Sequence, residues 1–244
     1  MKNIALTVEY IGTNYCGFQI QPNVLTVQEV LEKALEKTFK EKIEITAAGR
    51  TDAKVHAFGQ VINFKVDTTV DIGNMPKVIN YHLPKDISIV DAKIKEDNFS
   101  ARFSAKAKIY KYCIYNNKYR SAIYGDFAYN FPHKLNIEKM KRASQCLIGT
   151  HDFTSFMGRD SEVKDAIRTI YSIDIKREGD FVEIEFYGKS FLRNMIRIIV
   201  GSLCDIGREK LPEDFLEKSL KEKDRSKAGY TAPAQGLFLM EVKY

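Results

Sequence analysis

The segment Ala48 to Ala57 reads Ala-Gly-Arg-Thr-Asp-Ala-Lys-Val-His-Ala, and it places one carboxylate, Asp52, between two cations. A carboxylate beside a guanidinium stays ionised, so Asp52 has the chemistry of a nucleophile or of an acid–base group. The alternative is structural, because aspartate in a glycine-containing loop commonly closes an Asx turn or caps a helix. A lone aspartate argues against a glycosidase that works with two carboxylates.

The other reactive residue types form no recognisable site. The four histidines are scattered, with no serine–histidine or HxxxH arrangement, and no glycine-rich phosphate loop follows a predicted strand. The four cysteines lie 97, 33 and 58 residues apart, which excludes a local CxxC pair or zinc cluster. We therefore expect reduced, mostly buried thiols and no metal site.

Length and hydropathy indicate the broad class of the protein. The chain has 244 residues, of which 44% are hydrophobic, enough for a sizeable core in one large domain or two small ones. No run of about 18 apolar residues is present, and the N-terminus alternates like a strand instead of resembling a signal peptide. We expect a soluble, cytoplasmic protein that is not bound to a membrane.

Positive charge and aromatic rings are concentrated between Lys106 and Arg142, here called the basic–aromatic stretch. Nine Lys or Arg against two acidic residues give it a net charge of +7, whereas the whole chain carries +6, and it holds six of the thirteen tyrosines. Cations beside aromatic rings suit a polymer with phosphates and stackable bases. The structural alternative is a solvated strand edge whose lysines prevent aggregation.

Hydrophobic periodicity predicts the elements that must position these residues. The first half is predicted to contain strands over 4–10, 43–47, 62–66 and 87–94, with helices over 27–40 and 71–82. The second is predicted to contain strands over 110–114, 166–175, 182–186 and 236–243, with helices over 137–147, 191–204 and from 212. Each half follows a βαββαβ order, which predicts an α+β chain with an N-terminal unit at 1–105 and a C-terminal unit at 106–244. Asp52 falls in the long connection between the second and third strands.

Several motifs in a fixed order resemble those of the tRNA pseudouridine synthase A family, over essentially the whole chain. They are Tyr-Cys-Gly-Phe-Gln at 15–19, Thr-Val-Gln-Glu-Val-Leu-Glu at 26–32, Gly-Arg-Thr-Asp at 49–52 with Val-His-Ala at 55–57, Ser-Ala-Arg-Phe-Ser-Ala at 100–105, Lys-Ile-Tyr-Lys-Tyr at 108–112, Gly-Thr-His-Asp-Phe-Thr-Ser-Phe at 149–156, Phe-Leu-Arg-Asn-Met-Ile-Arg-Ile-Ile-Val-Gly at 191–201, and Thr-Ala-Pro-Ala-Gln-Gly-Leu-Phe-Leu at 231–239. One such motif is weak support, and this many in order is specific.

The resemblance implies a pseudouridine synthase fold in which two ferredoxin-like halves share a continuous mixed sheet with a central RNA-binding cleft. It also implies a homodimer that acts on tRNA without a metal or an organic cofactor. The implied reaction converts uridine to pseudouridine in the anticodon stem-loop, at the tRNA positions counted as 38, 39 and 40. The C1′–N1 bond must break and the uracil must rejoin through C5, which requires an extruded base.

Three residues match the family's catalytic positions. Asp52 matches the catalytic aspartate, which acts either as a nucleophile on the sugar or base, or as a base that removes a sugar proton to give a glycal. Tyr110 matches the residue that stacks on the uracil and assists proton transfer at C5, although a cross-strand core aromatic is the alternative. Arg197 matches the arginine that pairs with the aspartate and keeps it ionised, the alternative being a surface arginine on an amphipathic helix.

Besides Tyr110, four cations are expected to contact RNA: Arg50, Lys54, Lys108 and Lys111. Arg50 is expected to reach phosphate or to fill the space left by the flipped base. Lys54 departs from the family pattern, which usually has glycine at this position. Glycine would permit a positive φ or a close approach of RNA to the backbone, whereas lysine is expected to remove that freedom and to add a cation. Our hypothesis is that Lys54 contacts phosphate and alters the uridines accepted, as in a second paralogue.

Two other function classes remain open at this point. A non-catalytic tRNA-binding or tRNA-folding protein would use the basic–aromatic stretch and would tolerate the loss of Asp52. A structural protein would leave the clustered cations and tyrosines without a purpose. The motifs favour the enzyme.

Overall fold

The computed structural model describes residues 1–158 and 165–244. The elements, in chain order, are β1 (Lys2–Tyr10), α1 (Val27–Phe39), β2 (Thr46–Ala47), β3 (His56–Val66), α2 (Met75–Asn80), β4 (Ile87–Lys95), β5 (Ala107–Tyr115), β6 (Tyr129–Asn130), α3 (Ile137–Ser144), β7 (Gly149–Asp152), β8 (Ile167–Glu178), β9 (Phe181–Gly188), α4 (Met195–Gly207), α5 (Phe215–Glu222) and β10 (Leu237–Lys243). The expected α+β class with mixed strand pairing is confirmed.

The chain forms two compact units, one of residues 1–106 with 238–244 and one of residues 107–237. In the first unit β1 lies between β3 and β4 and is antiparallel to both, and β2 pairs with β3. The order β4-β1-β3-β2 is the arrangement expected of a split βαββαβ unit. β10 runs parallel to β3, so the last strand groups with the first unit, whereas the predicted division counted it in the C-terminal half.

Local sequence signals explain why the main elements of the first unit form. In β1 the alternating side chains of Ile4, Leu6 and Val8 are fully buried, as the period-two pattern predicts. Helix α1 begins after Thr26, whose hydroxyl oxygen accepts the N–H of Glu29. Two predictions here were too long: the second strand is reduced to two residues, and α2 follows a short 3₁₀ turn over Ile72–Asn74. The third strand was predicted too short, because β3 begins at His56 and not at residue 62.

The second unit contains an antiparallel sheet in the order β5-β9-β8-β7, with β6 parallel to β5. The short strands β6 and β7 were not predicted, because two and four residues are too few to show a period. Of the four thiols only Cys204 is buried and Cys16 is exposed, so the expectation of mostly buried cysteines is wrong. None of the described helices is long and apolar enough to cross a membrane.

Candidate active site

The loop that carries Asp52 is held by main-chain hydrogen bonds to an earlier segment of the first unit. The N–H of Phe18 donates to the carbonyl oxygen of Thr51 at 3.0 Å, and the N–H of Lys54 donates to that of Tyr15 at 3.3 Å. These two bonds bracket Asp52 on both sides in the sequence. The loop is therefore fixed by the Tyr-Cys-Gly-Phe-Gln motif, although 32 residues lie between Asp52 and the last residue of that motif, Gln19.

Two buried side chains fasten the same loop to the strands beneath it. The hydroxyl oxygens of Tyr10 and Thr51 lie 2.7 Å apart, and the side-chain amide of Gln60 donates to the carbonyl oxygen of Gly49 at 2.8 Å. Burial raises the pKa of Tyr10 to about 12, with the bonds to Thr51 and Gln60 acting in the opposite direction. Buried polar groups are costly without partners, so this arrangement favours one loop conformation.

Two glycines allow the loop to approach its support closely. Gly17 has φ +97°, and a Cβ there would lie 2.9 Å from the carbonyl oxygen of Thr51. A Cβ at Gly12 would lie 2.1 Å from the carbonyl oxygen of Val55. The N–H of Gly12 also donates to Nδ1 of the buried His56 at 3.0 Å, which fixes that imidazole with Nδ1 unprotonated. These supports were not predicted from the sequence; the available signal was Gly17 inside the Tyr-Cys-Gly-Phe-Gln motif, whereas Gly12 lies outside the quoted motifs.

Lys54 adopts the left-handed conformation, with φ +65°. The expectation that lysine would remove the freedom of glycine at this position is therefore wrong, because the chain keeps the positive φ. A non-glycine residue in that region costs about 1 kcal/mol, which the surrounding hydrogen bonds must offset. The side chain is exposed, so the loop presents an additional cation to solvent two residues after Asp52.

Asp52 itself is half-buried, and the cations on either side of it, Arg50 and Lys54, are exposed. One guanidinium nitrogen of Arg50 donates to the side-chain oxygen of Gln19 at 2.7 Å, so this arginine is oriented and not randomly solvated. The loop thus combines a carboxylate, which accepts protons or attacks carbon, with two outward cations, which attract phosphate.

Tyr110 lies on β5 opposite Phe186 of β9 and is buried. Its ring meets that of Phe191 edge-on, with 5.3 Å between centroids. Lys108 is two residues away and therefore on the same face of the strand. Lys111 is on the opposite face and forms a 3.0 Å ion pair with Glu183. Its role as an RNA contact stays a prediction, and an RNA phosphate would have to compete with the Glu183 carboxylate for the ammonium group.

Arg197 is the one residue of α4 that is not buried, within a helix that is otherwise a core element. Its Nε donates to the carbonyl oxygen of Ala232 at 2.7 Å, and Nη1 donates to the side-chain oxygen of Asn194 at 2.8 Å. The main-chain N–H of Ala232 in turn donates a hydrogen bond to the carbonyl oxygen of Arg197. The guanidinium is therefore held in one orientation by these bonds, and its pairing with Asp52 stays a prediction.

The basic–aromatic stretch is partly structural. Lys111, Lys139, Lys141 and Arg142 all form ion pairs with carboxylates of the second unit. Tyr112 is fully buried and donates its hydroxyl to the carbonyl oxygen of Pro233 at 2.6 Å. The net charge of +7 in this stretch therefore overstates the cationic surface that an RNA would meet.

The structure gathers Arg50, Asp52 and Lys54 in one loop of the first unit, and it puts Lys108 and Tyr110 on one strand face of the second. Arg197 is on a different element of that second unit, helix α4. No group of three or more His, Cys, Asp or Glu side chains within residues 1–158 and 165–244 is arranged to hold a metal ion.

Comparison with known proteins adds to this geometry. A family model described as tRNA pseudouridine synthase matches residues 6–104 and 143–244. A tRNA pseudouridine synthase A of Thermoanaerobacter sp. (strain X514) is 47% identical over 244 residues, all of both chains. The same-named protein of Caldicellulosiruptor saccharolyticus is 43% identical over 244 residues, again all of both chains, and that of Bacillus subtilis (strain 168) is 43% identical over 240 residues, covering 98% and 97% of the two chains.

Among solved structures, a chain of a Cbf5–Nop10–Gar1 complex is similar over 82% of this chain and 45% of that one, with 14% identity and a TM-score of 0.39. A chain of an archaeal box H/ACA sRNP Nop10–Cbf5 complex is similar over 82% and 44%, with 11% identity and a TM-score of 0.38. This chain thus spans less than half the length of either.

Proposed function

Since the chain belongs to the tRNA pseudouridine synthase family, we propose that it converts uridine to pseudouridine in the anticodon stem-loop of tRNA, at positions 38, 39 and 40, with Asp52 as its catalytic aspartate. Family membership makes it an isomerase whose substrate is tRNA. The stem-loop target and the residue roles are the parts that we propose.

The chemistry needs no partner beyond the RNA and the protein. The C1′–N1 bond of uridine breaks, a C1′–C5 bond forms, a proton leaves C5 and N1 gains one, so the atoms and charges balance. Asp52 acts either on C1′ or the base as a nucleophile, or on the C2′ proton as a base that gives a glycal. Tyr110 stacks on the uracil and assists the C5 proton transfer, and Arg197 keeps the carboxylate ionised.

One observation carries the proposal for Asp52. The residue before it, Thr51, is bonded through its side chain to Tyr10 and through its carbonyl oxygen to Phe18, while Asp52 itself is only half-buried. A reactive group on a rigid, partly exposed loop is what catalysis at an extruded base requires. A purely structural aspartate would need no such framework around an accessible carboxylate.

The test is tritium release from tRNA labelled as [5-³H]uridine, measured for the native protein and for Asp52→Asn, with binding of the same tRNA in parallel. We expect release by the native protein alone and binding by both. Asp97→Asn is the matched control, because it removes one exposed carboxylate of the same unit, and it is expected to keep full activity. Release by Asp52→Asn at the native rate would refute the catalytic role.

Failure of both proteins to release tritium while they still bind tRNA would favour the non-catalytic tRNA-binding alternative.

The two mechanisms for Asp52 are separated by substrate deuterated at C2′ of the target uridine. Removal of that proton in a rate-limiting glycal step gives a primary isotope effect on tritium release, whereas nucleophilic attack leaves the C2′–H bond intact and gives none.

The positions of the modified uridines test the proposed target in the anticodon stem-loop. Mapping pseudouridine in tRNA treated with the native protein is expected to give sites at 38, 39 and 40, and a Lys54-dependent subset would identify a paralogue with altered specificity. We further propose that the protein is a homodimer, as the family resemblance implies, and that it is cytoplasmic, as the hydropathy pattern of the sequence predicts. Light scattering of the purified protein tests the dimer, since a mass near 28.0 kDa would be that of the monomer.

A further inference from the structure

A short turn of the first unit, Ser100 to Ser104, presents Arg102 and Phe103 to solvent. The Phe103 side chain is 81% exposed, and Arg102 is exposed beside it. The guanidinium carbon of Arg102 lies 5.3 Å from the centroid of the Phe103 ring. The cation thus covers one face of the ring, an arrangement that leaves the other face open to a flat partner.

The turn is closed by hydrogen bonds of its own. The N–H of Ser104 donates to the carbonyl oxygen of Ser100 at 2.9 Å, and the N–H of Ser100 donates to the hydroxyl oxygen of Ser104 at 3.1 Å. The N–H of Phe103 donates to the hydroxyl oxygen of Ser100 at 3.4 Å. The backbone at Phe103 is therefore fixed, and the direction of its ring depends on few rotatable bonds.

Ala101 fastens the turn to the core of the first unit. It is fully buried, its N–H donates to the side-chain oxygen of Asn63 at 2.8 Å, and its carbonyl oxygen accepts the hydroxyl of Tyr244 at 2.9 Å. The side-chain amide of Asn63 donates in turn to Asn3 at 3.0 Å, and both asparagines are buried. A buried amide pair is retained only where it is fully bonded. The turn is thus pre-organised, which lowers the ordering cost of binding.

We propose that Arg102 and Phe103 form an RNA contact, in which Phe103 stacks on an unpaired base of the tRNA substrate and Arg102 contacts a neighbouring phosphate. The inference rests on the proposed function, because it takes tRNA as the partner. An exposed ring backed by a cation is the combination that recognises a nucleotide whose base is unstacked. A second copy of this chain, which carries a net charge of +6, offers the arginine no comparable density of anions.

The chain contains no tryptophan, so Phe103→Trp introduces a single fluorescent reporter at the turn. We would titrate the Asp52→Asn/Phe103→Trp protein with full-length tRNA, since the Asp52→Asn change is designed to stop turnover without removing binding. Stacking on a base is expected to quench the indole fluorescence. Asp52→Asn/Tyr81→Trp is the matched control: Tyr81 is 84% exposed in the same unit, and its ring lies beside His82. The control is expected to show no change.

Binding affinities supply a second readout in the Asp52→Asn background. Phe103→Ala is expected to weaken tRNA binding about tenfold or more, Phe103→Tyr to restore it, and Tyr81→Ala to leave it unchanged. Arg102→Gln is expected to reduce the slope of log Kd against log salt by about one, and Arg102→Lys to preserve it. The Phe103 series would support the stacking contact, and the Arg102 series would support the phosphate contact.

Two outcomes would overturn the inference. One is unchanged fluorescence at position 103 together with native affinity of Phe103→Ala. The other is quenching that follows protein concentration in the absence of tRNA, which would place the ring in a contact between copies of the chain. Tritium release by the native protein, measured separately, distinguishes failure of this RNA contact from failure of the proposed function. Quenching without tritium release would contradict the proposed synthase activity and would still support the RNA contact.

Discussion

The hydroxyl oxygens of Tyr10 and Thr51 lie 2.7 Å apart, so the last residue of β1 is bonded to the residue immediately before Asp52. Tyr10 is buried, and Thr51 is also held through its carbonyl oxygen by Phe18. The position of the carboxylate thus depends on side-chain and main-chain bonds that converge on a single neighbour. Catalysis depends on placement to within about an ångström, so changes that disturb these bonds are expected to reduce the rate before they unfold the protein.

Gly17→Ala is expected to displace the Asp52 loop. At φ +97° alanine is strained, and its Cβ would lie 2.9 Å from the carbonyl oxygen of Thr51. We expect the free energy of unfolding to fall by about 2–3 kcal/mol, and kcat to fall about a hundredfold because the carboxylate shifts. Urea unfolding and tritium release measure the two effects.

Gly179→Ala is the control for that variant. Gly179 also has a positive φ, +56°, in the turn between β8 and β9, but a Cβ there would meet no atom within 4 Å. We expect it to cost about 1 kcal/mol of stability for the backbone conformation alone and to leave kcat unchanged. If Gly17→Ala were no slower than Gly179→Ala, close packing against Thr51 would have no bearing on catalysis.

Lys54→Gly and Lys54→Ala separate the backbone at this position from its charge. With φ +65° at Lys54, glycine is expected to raise the free energy of unfolding by about 1 kcal/mol, whereas alanine keeps the strain and should leave it nearly unchanged. Both variants remove the cation, and both are expected to reduce the salt slope of tRNA binding by about one. An unchanged slope in both, with an unchanged set of modified uridines, would refute the phosphate contact.

Local patterns predicted the elements that such patterns encode. The alternation of Ile4, Leu6 and Val8 predicted β1, and the Thr26–Glu29 pair predicted the start of α1, because each signal depends only on residues within a turn or two. The pairing of β10 with β3, through Phe238 opposite His56, involves distant parts of the sequence. No local period indicates which strand a C-terminal segment will join, so the unit boundary was not predictable in that respect.

The candidate site shows the same limit. Asp52 was identified from its motif, but its supports at Tyr10, Gly17 and Gln60 belong to other segments and appear only when those segments meet. Lys54 contradicts the local rule that a residue other than glycine avoids a positive φ. The preference of L-residues for negative φ is worth only about 1–2 kcal/mol, which the hydrogen bonds of the loop overcome.

Arg197→Lys is expected to lower kcat about a hundredfold with little change in the affinity for tRNA. Lysine carries its donors on a single nitrogen and has no planar fork, so it cannot reproduce the two bonds that the guanidinium makes through Nε to Ala232 and through Nη1 to Asn194, at 2.7 and 2.8 Å. Arg193→Lys, an exposed position of the same motif, is the control and is expected to stay within about twofold of the native rate. Coupling between Arg197→Lys and Asp52→Asn in a double-mutant cycle tests the predicted ion pair, and additive effects would argue against it.

Tyr10→Phe is expected to change how stability depends on alkaline pH. Burial raises the pKa of the Tyr10 hydroxyl from 10.0 to about 12, so the folded state holds this proton more tightly than the unfolded chain. The stabilisation from this group is therefore fully present below about pH 10 and is lost as the pH rises towards 12, by about 2–3 kcal/mol in total. At pH 7 the free energy of unfolding of the phenylalanine variant is expected to be about 1 kcal/mol lower than that of the native protein, because the bond to Thr51 is lost. Between pH 10 and 12, however, it is expected to fall less steeply than that of the native protein. Urea unfolding across this range measures the difference, with the exposed Tyr81→Phe as control, and parallel declines in Tyr10→Phe and native protein would contradict the assignment.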